Sequence, residues 1–514
     1  MESGSIAAPP AAGAGLGSAP GDKGLKTGAL GFVSNVVIGV ASTAPGYSLA
    51  ASLGLVVGVA GIGLQAPAIL LAAFVPMLFI AASYYYMNRA DPDCGTTFSW
   101  VTKAMGPYAG WIGGWAIIVA DIIVMANLAQ IAGLYSFRLF DWQSAADSTT
   151  AVTAVGIVWI AIMTAICVYG IELSARTQVG LLGAELITLA IFAIVALVKV
   201  AAGDAGPNSI DPSLSWLSPF GVDSTSAFVD GVLLSVFIYW GWDSTVTVNE
   251  ESENSSETPG RAAIVSTFIL LLTYVIVAYA AQAFNGPKEL VDNSDDVFGN
   301  LGHAVLGSPL DKLLIIAVLT SAAASTQTTI LPTARTSLSM ARARAMPESL
   351  GRIHPRFLTP HISTILMGVL SIAWYVGLTI VSENILFDSI AALGLMIAFY
   401  YGLTGFACVV YYRRELFNSA RNFVMIGILP LLGGLMLFGI LVKSCVDLSK
   451  PENSESGDSW IGLGPPLVIG IGAMLLGVVL MLWWSVGHRD FFRRKPEVVS
   501  PHVLAGAPAT GPEA

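Results

Sequence analysis

Long apolar runs dominate this chain and are separated by short polar segments. Twelve of the runs approach or exceed the ~20 residues that a helix needs to cross the apolar core of a bilayer. The pattern therefore predicts an all-α integral membrane protein with twelve transmembrane helices, and a short amphipathic helix outside the membrane at 296–307. The predicted spans are 30–58, 66–87, 107–136, 152–170, 178–202, 228–249, 262–284, 311–332, 362–382, 385–412, 422–444 and 464–487.

Two of these runs are interrupted at their middle. The run 30–58 carries STAPG at 42–46, and the run 228–249 carries YWGWD at 239–243. Proline removes a backbone donor and glycine loosens the turn, and lipid offers the freed backbone groups no hydrogen bonds. Two interrupted segments in corresponding places of the two chain halves are typical of the binding site of a secondary transporter. Simple kinks, which are common in membrane helices, are the alternative.

Composition supports the membrane interpretation. The chain is 55% hydrophobic and 11% charged, with a mean hydropathy of +0.73, and its apolar surface exceeds what one soluble core buries. The formal net charge of −10 says little about partners, because most charges must lie in loops and tails. The four cysteines and five histidines show no metal-ligand spacing, so we expect no metal site and no membrane metalloenzyme. For this class of membrane protein we also expect no enzyme activity and no nucleic-acid partner.

Basic residues indicate the orientation. With the N-terminus inside, the cytoplasmic segments hold eighteen of the 24 lysines and arginines, as the positive-inside rule requires. The Ala-, Gly- and Pro-rich ends, 1–28 and 488–514, are then disordered cytoplasmic tails. We expect a multi-pass protein of the cytoplasmic membrane with both termini inside. The six basic residues predicted outside are Arg138, Lys199, Lys288, Lys312, Lys443 and Lys450.

Five stretches resemble bacterial amino acid permeases of the amino acid–polyamine–organocation superfamily. They are IGVASTAPGYSLA (38–50), GTTFSWVTKAMGPYAGWIGGW (95–115), YWGWD (239–243), NEESENSSETPGRA (249–262) and ARTSLSMARARAMPESLGRIHP (334–355).

The resemblance implies the LeuT-like fold. Two inverted five-helix repeats, 29–202 and 228–415, would be joined by an extracellular loop at 203–227 and followed by helices 11 and 12 at 416–487. Helices 1 and 6 would be the broken ones. The resemblance also implies import of amino acids or related amines by alternating access.

An amino acid zwitterion needs donors for its carboxylate and acceptors for its ammonium, and the ends of broken helices offer both. We expect the amides of Gly46 and Tyr47, with the Thr43 hydroxyl, to bind the carboxylate. Carbonyls near Ile38, Val40, Ala41, Phe237 and Tyr239 would accept from the ammonium. The candidate substrate-binding residues are Ile38, Ala41, Ser42, Thr43, Ala44, Pro45, Gly46, Tyr47, Phe237, Tyr239, Trp240, Gly241, Trp242 and Asp243.

The second break carries three aromatic residues and an acid. The resemblance implies that one aromatic residue gates the bound substrate, with Trp240 and Tyr239 equally favoured, while the others pack between helices. Asp243 is expected either to cap the half-helix that follows it or to pair with a cationic substrate.

Other ionisable or hydroxyl residues lie within apolar runs, where they are costly and often functional. The resemblance places a lysine seven residues after Gln178, where this chain has Glu185; this carboxylate is expected to hold a coupling proton or to ligate Na⁺, or to be an inert hydrogen-bonded group. In the implied fold, Ser321, Ser325 and Thr326 of helix 8 face the cation position. Asp121 and Asn127 of helix 3 either line the pathway, together with Gln130, or bond across helices.

The leading hypothesis is therefore a proton-coupled amino acid importer without other cofactors, with Na⁺ as the alternative ion. The competing hypotheses are a polyamine or amine carrier, an amino acid exchanger and a non-transporting nutrient sensor. The expected partners are the small-molecule substrate and the lipid bilayer, and the expected state is a monomer or weak homodimer. The substrate side chain, and symport as against antiport, stay open.

Overall fold

The structure, a computed structural model, describes residues 23–294, 297–381, 383–454 and 456–496. Regular structure in this part of the chain is helical, without a β-strand. The predicted tail residues 1–22 and 497–514, and residues 296 and 382 at the ends of predicted helices, lie outside it. The α-helices are α1 (Phe32–Ser42), α2 (Pro45–Gly58), α3 (Ala66–Ala90), α4 (Thr97–Met105), α5 (Pro107–Leu139), α6 (Gln143–Ala146), α7 (Thr149–Tyr169), α8 (Ile171–Ala202), α9 (Thr225–Ile238), α10 (Ser244–Thr247), α11 (Thr258–Asp292), α12 (Val297–Leu306), α13 (Lys312–Arg342), α14 (His361–Val381), α15 (Glu383–Tyr411), α16 (Ala420–Asn422), α17 (Leu429–Asp447), α18 (Pro465–Gly487) and α19 (Arg489–Phe492).

Among the described residues, eleven helical segments are long and apolar enough to cross a membrane. They coincide with eleven of the twelve predicted spans, and α1 and α2 together make one of them. The remaining predicted span, 228–249, is divided between α9, which has 14 residues, and α10, which has four. Neither piece alone is long enough to span the apolar core. The helical class of the protein is thus confirmed, and it is a multi-pass membrane protein.

The helices form an inner and an outer group. Most of the apolar stretch of α1–α2, α3, α5, α13 and α15 is buried, whereas α7, α8, α14, α17 and α18 bury only a minority of theirs. The outer helices expose aliphatic side chains such as Ile187, Val198, Ile380 and Leu475, as helices that face lipid do. The inner helix α13 packs against α5, α8 and α1, so the two broken segments lie at the centre of the bundle.

Several helix boundaries differ from the sequence prediction. Helix α8 begins at Ile171 rather than at 178, and α11 continues past 284 to Asp292 through a non-helical residue, Gly286. Helix α4 was not predicted, because its nine residues mix apolar and polar types too evenly for a membrane span. The short helix predicted at 296–307 is present as α12. Within the predicted loop 203–227 the chain forms two short 3₁₀ turns, and α9 begins at Thr225.

The first predicted tail, 1–28, is too long. From residue 23 onward the chain is packed: Lys23 and Leu25 are buried, and the amide of Ala29 donates to the Glu251 carbonyl at 2.8 Å. Leu25 contributes apolar contacts with Leu338 and Cys94. These contacts supply the burial that a low-complexity segment usually lacks.

The second predicted tail, 488–514, is also partly structured. Helix α19 buries Phe491 and Phe492, and the Phe491 ring stacks on Phe98 with ring centroids 5.7 Å apart. Trp111 belongs to the same apolar cluster. Two adjacent aromatic rings bury enough apolar area to hold a short segment against the bundle.

Candidate functional site

The first helix break lies between α1 and α2. Helix α1 ends at Ser42, α2 begins at Pro45, and Ala44 has a left-handed backbone with φ 49°. Proline cannot donate a backbone hydrogen bond and disfavours a helical conformation in the residue before it. The STAPG motif therefore interrupts the helix where the sequence predicted.

The second break lies directly against the first. Residues 239–243 separate α9 from α10, and Gly241 adopts φ 117°. A Cβ atom at Gly241 would lie 2.7 Å from the Ser42 carbonyl oxygen, so only glycine fits this contact. The Ser42 and Ser244 hydroxyls are hydrogen-bonded at 2.7 Å. The two interrupted segments thus form one continuous centre.

A small cavity lies between the two breaks. Its volume is about 10 Å³, which is room for about one water molecule. Its wall brings the two breaks together with α5 and α13. The lining residues are Ser42, Thr43, Ala44, Tyr47, Ser48, Val124, Leu128, Phe237, Trp240 and Ser325.

Six of the fourteen candidate substrate residues line this cavity: Ser42, Thr43, Ala44, Tyr47, Phe237 and Trp240. Ser325, a candidate for the ion site, lines it too. Sequence reasoning missed Ser48, Val124 and Leu128. The other candidates lie outside the lining; they are Ile38, Ala41, Pro45, Gly46, Tyr239, Gly241, Trp242 and Asp243.

The three donors predicted for a carboxylate bond to protein atoms in this structure. The Gly46 amide donates to Glu185 Oε1 at 2.6 Å, and the Tyr47 amide donates to Ser321 Oγ at 3.1 Å. The Thr43 hydroxyl donates to the Gly39 carbonyl at 3.0 Å. A side-chain carboxylate therefore stands at the start of α2, where a substrate carboxylate was expected.

Predicted acceptors for an ammonium group are likewise bonded locally. The carbonyls of Val40 and Ala41 accept from the Thr43 and Ala44 amides, each at 3.1 Å, and the Phe237 carbonyl accepts from the Trp240 amide at 3.0 Å. A carbonyl oxygen has two lone pairs, so these oxygens retain capacity for a second donor.

The three aromatic residues of the second break have different surroundings. Trp240 faces the cavity. The Tyr239 hydroxyl donates to the Leu70 carbonyl at 3.1 Å, and its ring packs against Phe74 and Tyr274. Trp242 is fully buried against Tyr84 and Tyr401. Tyr239 and Trp242 therefore pack between helices, and only Trp240 of the three meets the cavity.

Asp243 neither caps α10 nor faces the cavity. Its side chain makes no capping hydrogen bond, so the capping prediction was wrong. The carboxylate accepts from the hydroxyls of Tyr401 at 2.8 Å, Tyr400 at 3.2 Å and Tyr84 at 3.5 Å. A buried carboxylate needs such donors, and here α15 and α3 supply them.

Glu185 is fully buried beside the first break. One carboxylate oxygen accepts from the Gly46 amide, while Oε2 has no hydrogen-bond partner among the described residues. An ionised carboxylate with an unpaired oxygen inside a membrane is costly. The group is therefore suited to hold a proton or to contact a cation.

Two of the three candidate residues of α13 face the first break. Ser321 accepts from the Tyr47 amide, and the Ser325 hydroxyl donates to the Ser42 carbonyl at 2.9 Å. The hydroxyl of Thr326 donates instead to Ala322 of its own helix at 2.8 Å. Residues four apart share a helix face, whereas the next residue points away from it.

The polar residues of α5 bond across helices. Thr333 donates to Asp121, the Asn127 amide donates to Ser389 at 2.8 Å, and Tyr375 donates to Gln130 at 2.6 Å. None of these polar α5 residues lines the cavity; the α5 residues that line it are Val124 and Leu128. Of the two alternatives for the polar residues of α5, hydrogen bonding between helices is therefore the one that the structure shows.

Ion pairs join several segments next to the broken helices. Arg335 of α13 forms a buried, bidentate pair with Glu251, at 2.5 and 2.8 Å. Lys23 pairs with Asp93 at 2.9 Å and also with Glu250. Lys23 thus joins the segment before α1 to the loop after α3 and to the segment after α10.

The Lys23 cluster also contains Cys94, and ligand atoms of Asp93, Cys94 and Glu250 lie within 4.8 Å of one another. The Lys23 ammonium pairs with both carboxylates. Partial burial alone would raise the pKa of Asp93, but Lys23 and hydrogen bonds from Ser99 and Ser339 hold that pKa well below its usual value. The ionised Asp93 carboxylate therefore stabilises the ion pair with Lys23 at neutral pH. This stabilisation is lost only as the pH falls below about 4, where the carboxylate becomes protonated.

Comparison with known proteins supports these observations. A family model described as amino acid permease matches residues 28–480. An uncharacterized transporter of Mycobacterium tuberculosis is 28% identical over 346 residues, covering 66% of this chain and 71% of that protein. The branched-chain amino acid permease BcaP of Lactococcus lactis is 23% identical over 302 residues (56% and 63%). The low-affinity putrescine importer PlaP of Escherichia coli is 20% identical over 372 residues (72% and 79%).

Proposed function

Because the chain belongs to the amino acid permease family, we propose that it imports amino acids across the cytoplasmic membrane by alternating access. The family is one of transporters rather than enzymes. The observation that carries the proposal is the contact of two helix breaks around one central cavity. In membrane transporters such breaks expose backbone groups and helix ends to the substrate. The LeuT-like arrangement of two inverted repeats is part of this proposal.

The cavity wall favours a substrate with an uncharged, apolar side chain. All ten lining residues are uncharged, and Val124, Leu128, Phe237 and Trp240 give it an apolar side. A second positive charge on a diamine or a basic amino acid would be unpaired there, at a cost of several kcal/mol. The nearby carboxylate of Asp243 already accepts from tyrosine hydroxyls. These contacts favour a neutral amino acid over a polyamine.

We propose that the substrate carboxylate binds at the start of α2. The helix dipole is positive there, and three hydroxyl-bearing residues, Thr43, Ser48 and Ser325, line the cavity. The ammonium would lie at the negative ends of α1 and α9, near the carbonyls of Ala41 and Phe237. The cavity has room for about one water, so entry of an amino acid requires the helix breaks to move apart.

Glu185 is our candidate for the coupling group, and the proton is the expected ion. Its carboxylate is bonded to the Gly46 amide, one residue after the start of α2. Protonation would weaken that contact, which ties the charge on Glu185 to the position of the helix break. Na⁺ bound at the unpaired Oε2 is the second candidate.

The distribution of basic residues supports an orientation with both termini in the cytoplasm. The Lys23 and Arg335 ion pairs would then lie at the cytoplasmic end of the bundle. There Lys23 joins the segment before α1 to the loop after α3 and to the residues after α10, and Arg335 joins α13 to the residues after α10. We propose that these pairs close the cytoplasmic side in the conformation described here and separate when substrate is released.

A thermal-shift panel tests the proposed substrate class. We expect leucine to raise the unfolding temperature of the purified protein, because a ligand stabilises the state that it binds; at 100 times Kd the gain is about 2.7 kcal/mol. Leucine amide, N-acetyl-leucine and the decarboxylated amine of leucine should have little effect, since each lacks one charged end. A larger shift with putrescine or arginine would instead indicate a carrier of cations.

A further inference from the structure

We propose that Tyr400 of α15 is a positioning residue that holds Trp240 against the cavity. The identification of the cavity as a substrate site rests on the proposed function, whereas the positioning of Trp240 does not. A chain of contacts links the second break to α15, none of whose residues is among those that line the cavity.

The contacts run from the cavity wall to a buried acid. The indole N–H of Trp240 donates to the Tyr400 hydroxyl. That hydroxyl donates in turn to Asp243 Oδ2 at 3.2 Å. Tyr401 donates to the other carboxylate oxygen at 2.8 Å and accepts from the Gly241 amide at 3.4 Å. Trp240 and Asp243 thus belong to the same break and are linked to each other through α15.

The position of Trp240 in the chain makes such a link necessary. Residues 239–243 lie between two helices, so no continuous helix fixes the direction of the indole. The indole has a single polar group, its N–H donor, and Tyr400 accepts it. Tyr400 in turn lies on a 29-residue helix that packs against α5, α4, α17 and α18. A rigid helix of this kind is what orients a functional side chain accurately.

Asp243 fixes the orientation of the Tyr400 hydroxyl. Because the Tyr400 hydroxyl donates its hydrogen bond to Asp243, the lone pairs of its oxygen remain available to accept from the Trp240 indole N–H. Hydrogen bonds to an ionised group are stronger than neutral ones, and a bonded chain polarises its members. Tyr401 shares the acid but has no hydrogen bond to Trp240 among those described. This difference separates a positioning role from a merely supporting one.

Chemical labelling of the cavity tests the inference without any substrate. Val124 lines the cavity from α5, and Val124→Cys would report on access to it. The reagent is a water-soluble methanethiosulfonate, and the partly exposed Cys445 is replaced by alanine in every variant. The protein with native Val124 provides the baseline from the three buried cysteines.

We expect Tyr400→Phe to raise the labelling rate about fivefold, the effect of losing one ordinary hydrogen bond. Trp240→Phe removes the same bond from the other side and should raise the rate at least as much. In the Trp240→Phe background, Tyr400→Phe should add nothing, because contacts that act as one unit are not additive. Tyr412→Phe is the matched control: Tyr412 directly follows the last residue of α15, and its buried hydroxyl donates to the Tyr86 carbonyl at 2.7 Å.

Three results would each overturn the inference. An unchanged rate in Tyr400→Phe would mean that the hydroxyl does not hold Trp240. An equal rise in Tyr412→Phe would indicate general loosening around the end of α15, and a further rise in the Trp240→Phe background would mean that Tyr400 acts elsewhere. Should Tyr400→Phe fail to fold, an unchanged rate in Trp240→Phe alone would be equally decisive. Because no amino acid is added, a failure of the proposed transport function would appear separately, as absent leucine binding by the parent.

Discussion

Replacing Gly241 with alanine is expected to reduce uptake to below about a tenth of the parent value. The new Cβ would lie 2.7 Å from the Ser42 carbonyl oxygen and 3.1 Å from the Thr43 amide nitrogen. Both are backbone atoms of the first break and cannot move aside without changing it. The left-handed backbone at φ 117° adds a further cost, of about 1–2 kcal/mol for an L-residue. Uptake is measured in proteoliposomes, together with the thermal unfolding temperature.

Gly180→Ala is the matched control for this substitution. Gly180 lies in α8, and a Cβ there would meet no atom within 4 Å. Alanine is also the better helix former, so uptake and stability should be retained. Parental uptake by Gly241→Ala would mean that close contact between the two breaks is not required for transport.

Glu185→Gln is expected to abolish concentrative uptake while leaving exchange of substrate across the membrane. Glutamine keeps the shape and an oxygen that can accept from the Gly46 amide, but it cannot release a proton or carry a charge. A coupling ion drives transport only if it binds one conformation better than the other. Removing the ionisable group removes that difference, whereas the cavity lining is unchanged. The measurement compares uptake under an imposed proton or sodium gradient with counterflow in its absence.

Glu172→Gln provides the control on the same helix. Glu172 is half-exposed near the start of α8 and pairs with Lys26. It lies more than three helical turns before Glu185. Gradient-driven accumulation should persist in this variant. If Glu185→Gln also accumulates substrate like the parent, Glu185 has a structural role only.

The helix breaks were predictable because their cause is local. Pro45 and Gly241 act on their own backbone, so the STAPG and YWGWD motifs reveal the interruptions without knowledge of any neighbour. Ser321 and Ser325 are four residues apart and share one face of α13. Thr326 was expected to join them, but it lies one residue further round the helix and bonds to Ala322.

The partners of the second break could not be read from local sequence. Which aromatic residue meets the cavity depends on Leu70, Phe74 and Tyr274, which occupy the space around Tyr239. The capping prediction for Asp243 failed because tyrosines more than 150 residues away in the chain offer it better donors. A signal was present in the adjacent tyrosines 400 and 401, since hydroxyls within an apolar run need polar partners.

The apolar residues of the cavity wall carry even less sequence signal. Val124 and Leu128 are ordinary residues of a long apolar helix, and only their place in the cavity wall distinguishes them from neighbours that face other helices. The sequence-based candidates on α5 were its polar residues instead, yet Asp121 and Asn127 form hydrogen bonds with other helices. In a membrane interior, polarity alone therefore does not identify the wall of a binding site.

Transport itself is tested most directly by uptake of radiolabelled leucine by the purified protein in proteoliposomes with an inward proton gradient. We expect accumulation above the external concentration, which collapses when the gradient is dissipated. Excess neutral amino acids should compete, whereas the decarboxylated amine of leucine and putrescine should not. Uptake of putrescine in preference to leucine, or no protein-dependent uptake of leucine at all, would contradict the proposed function.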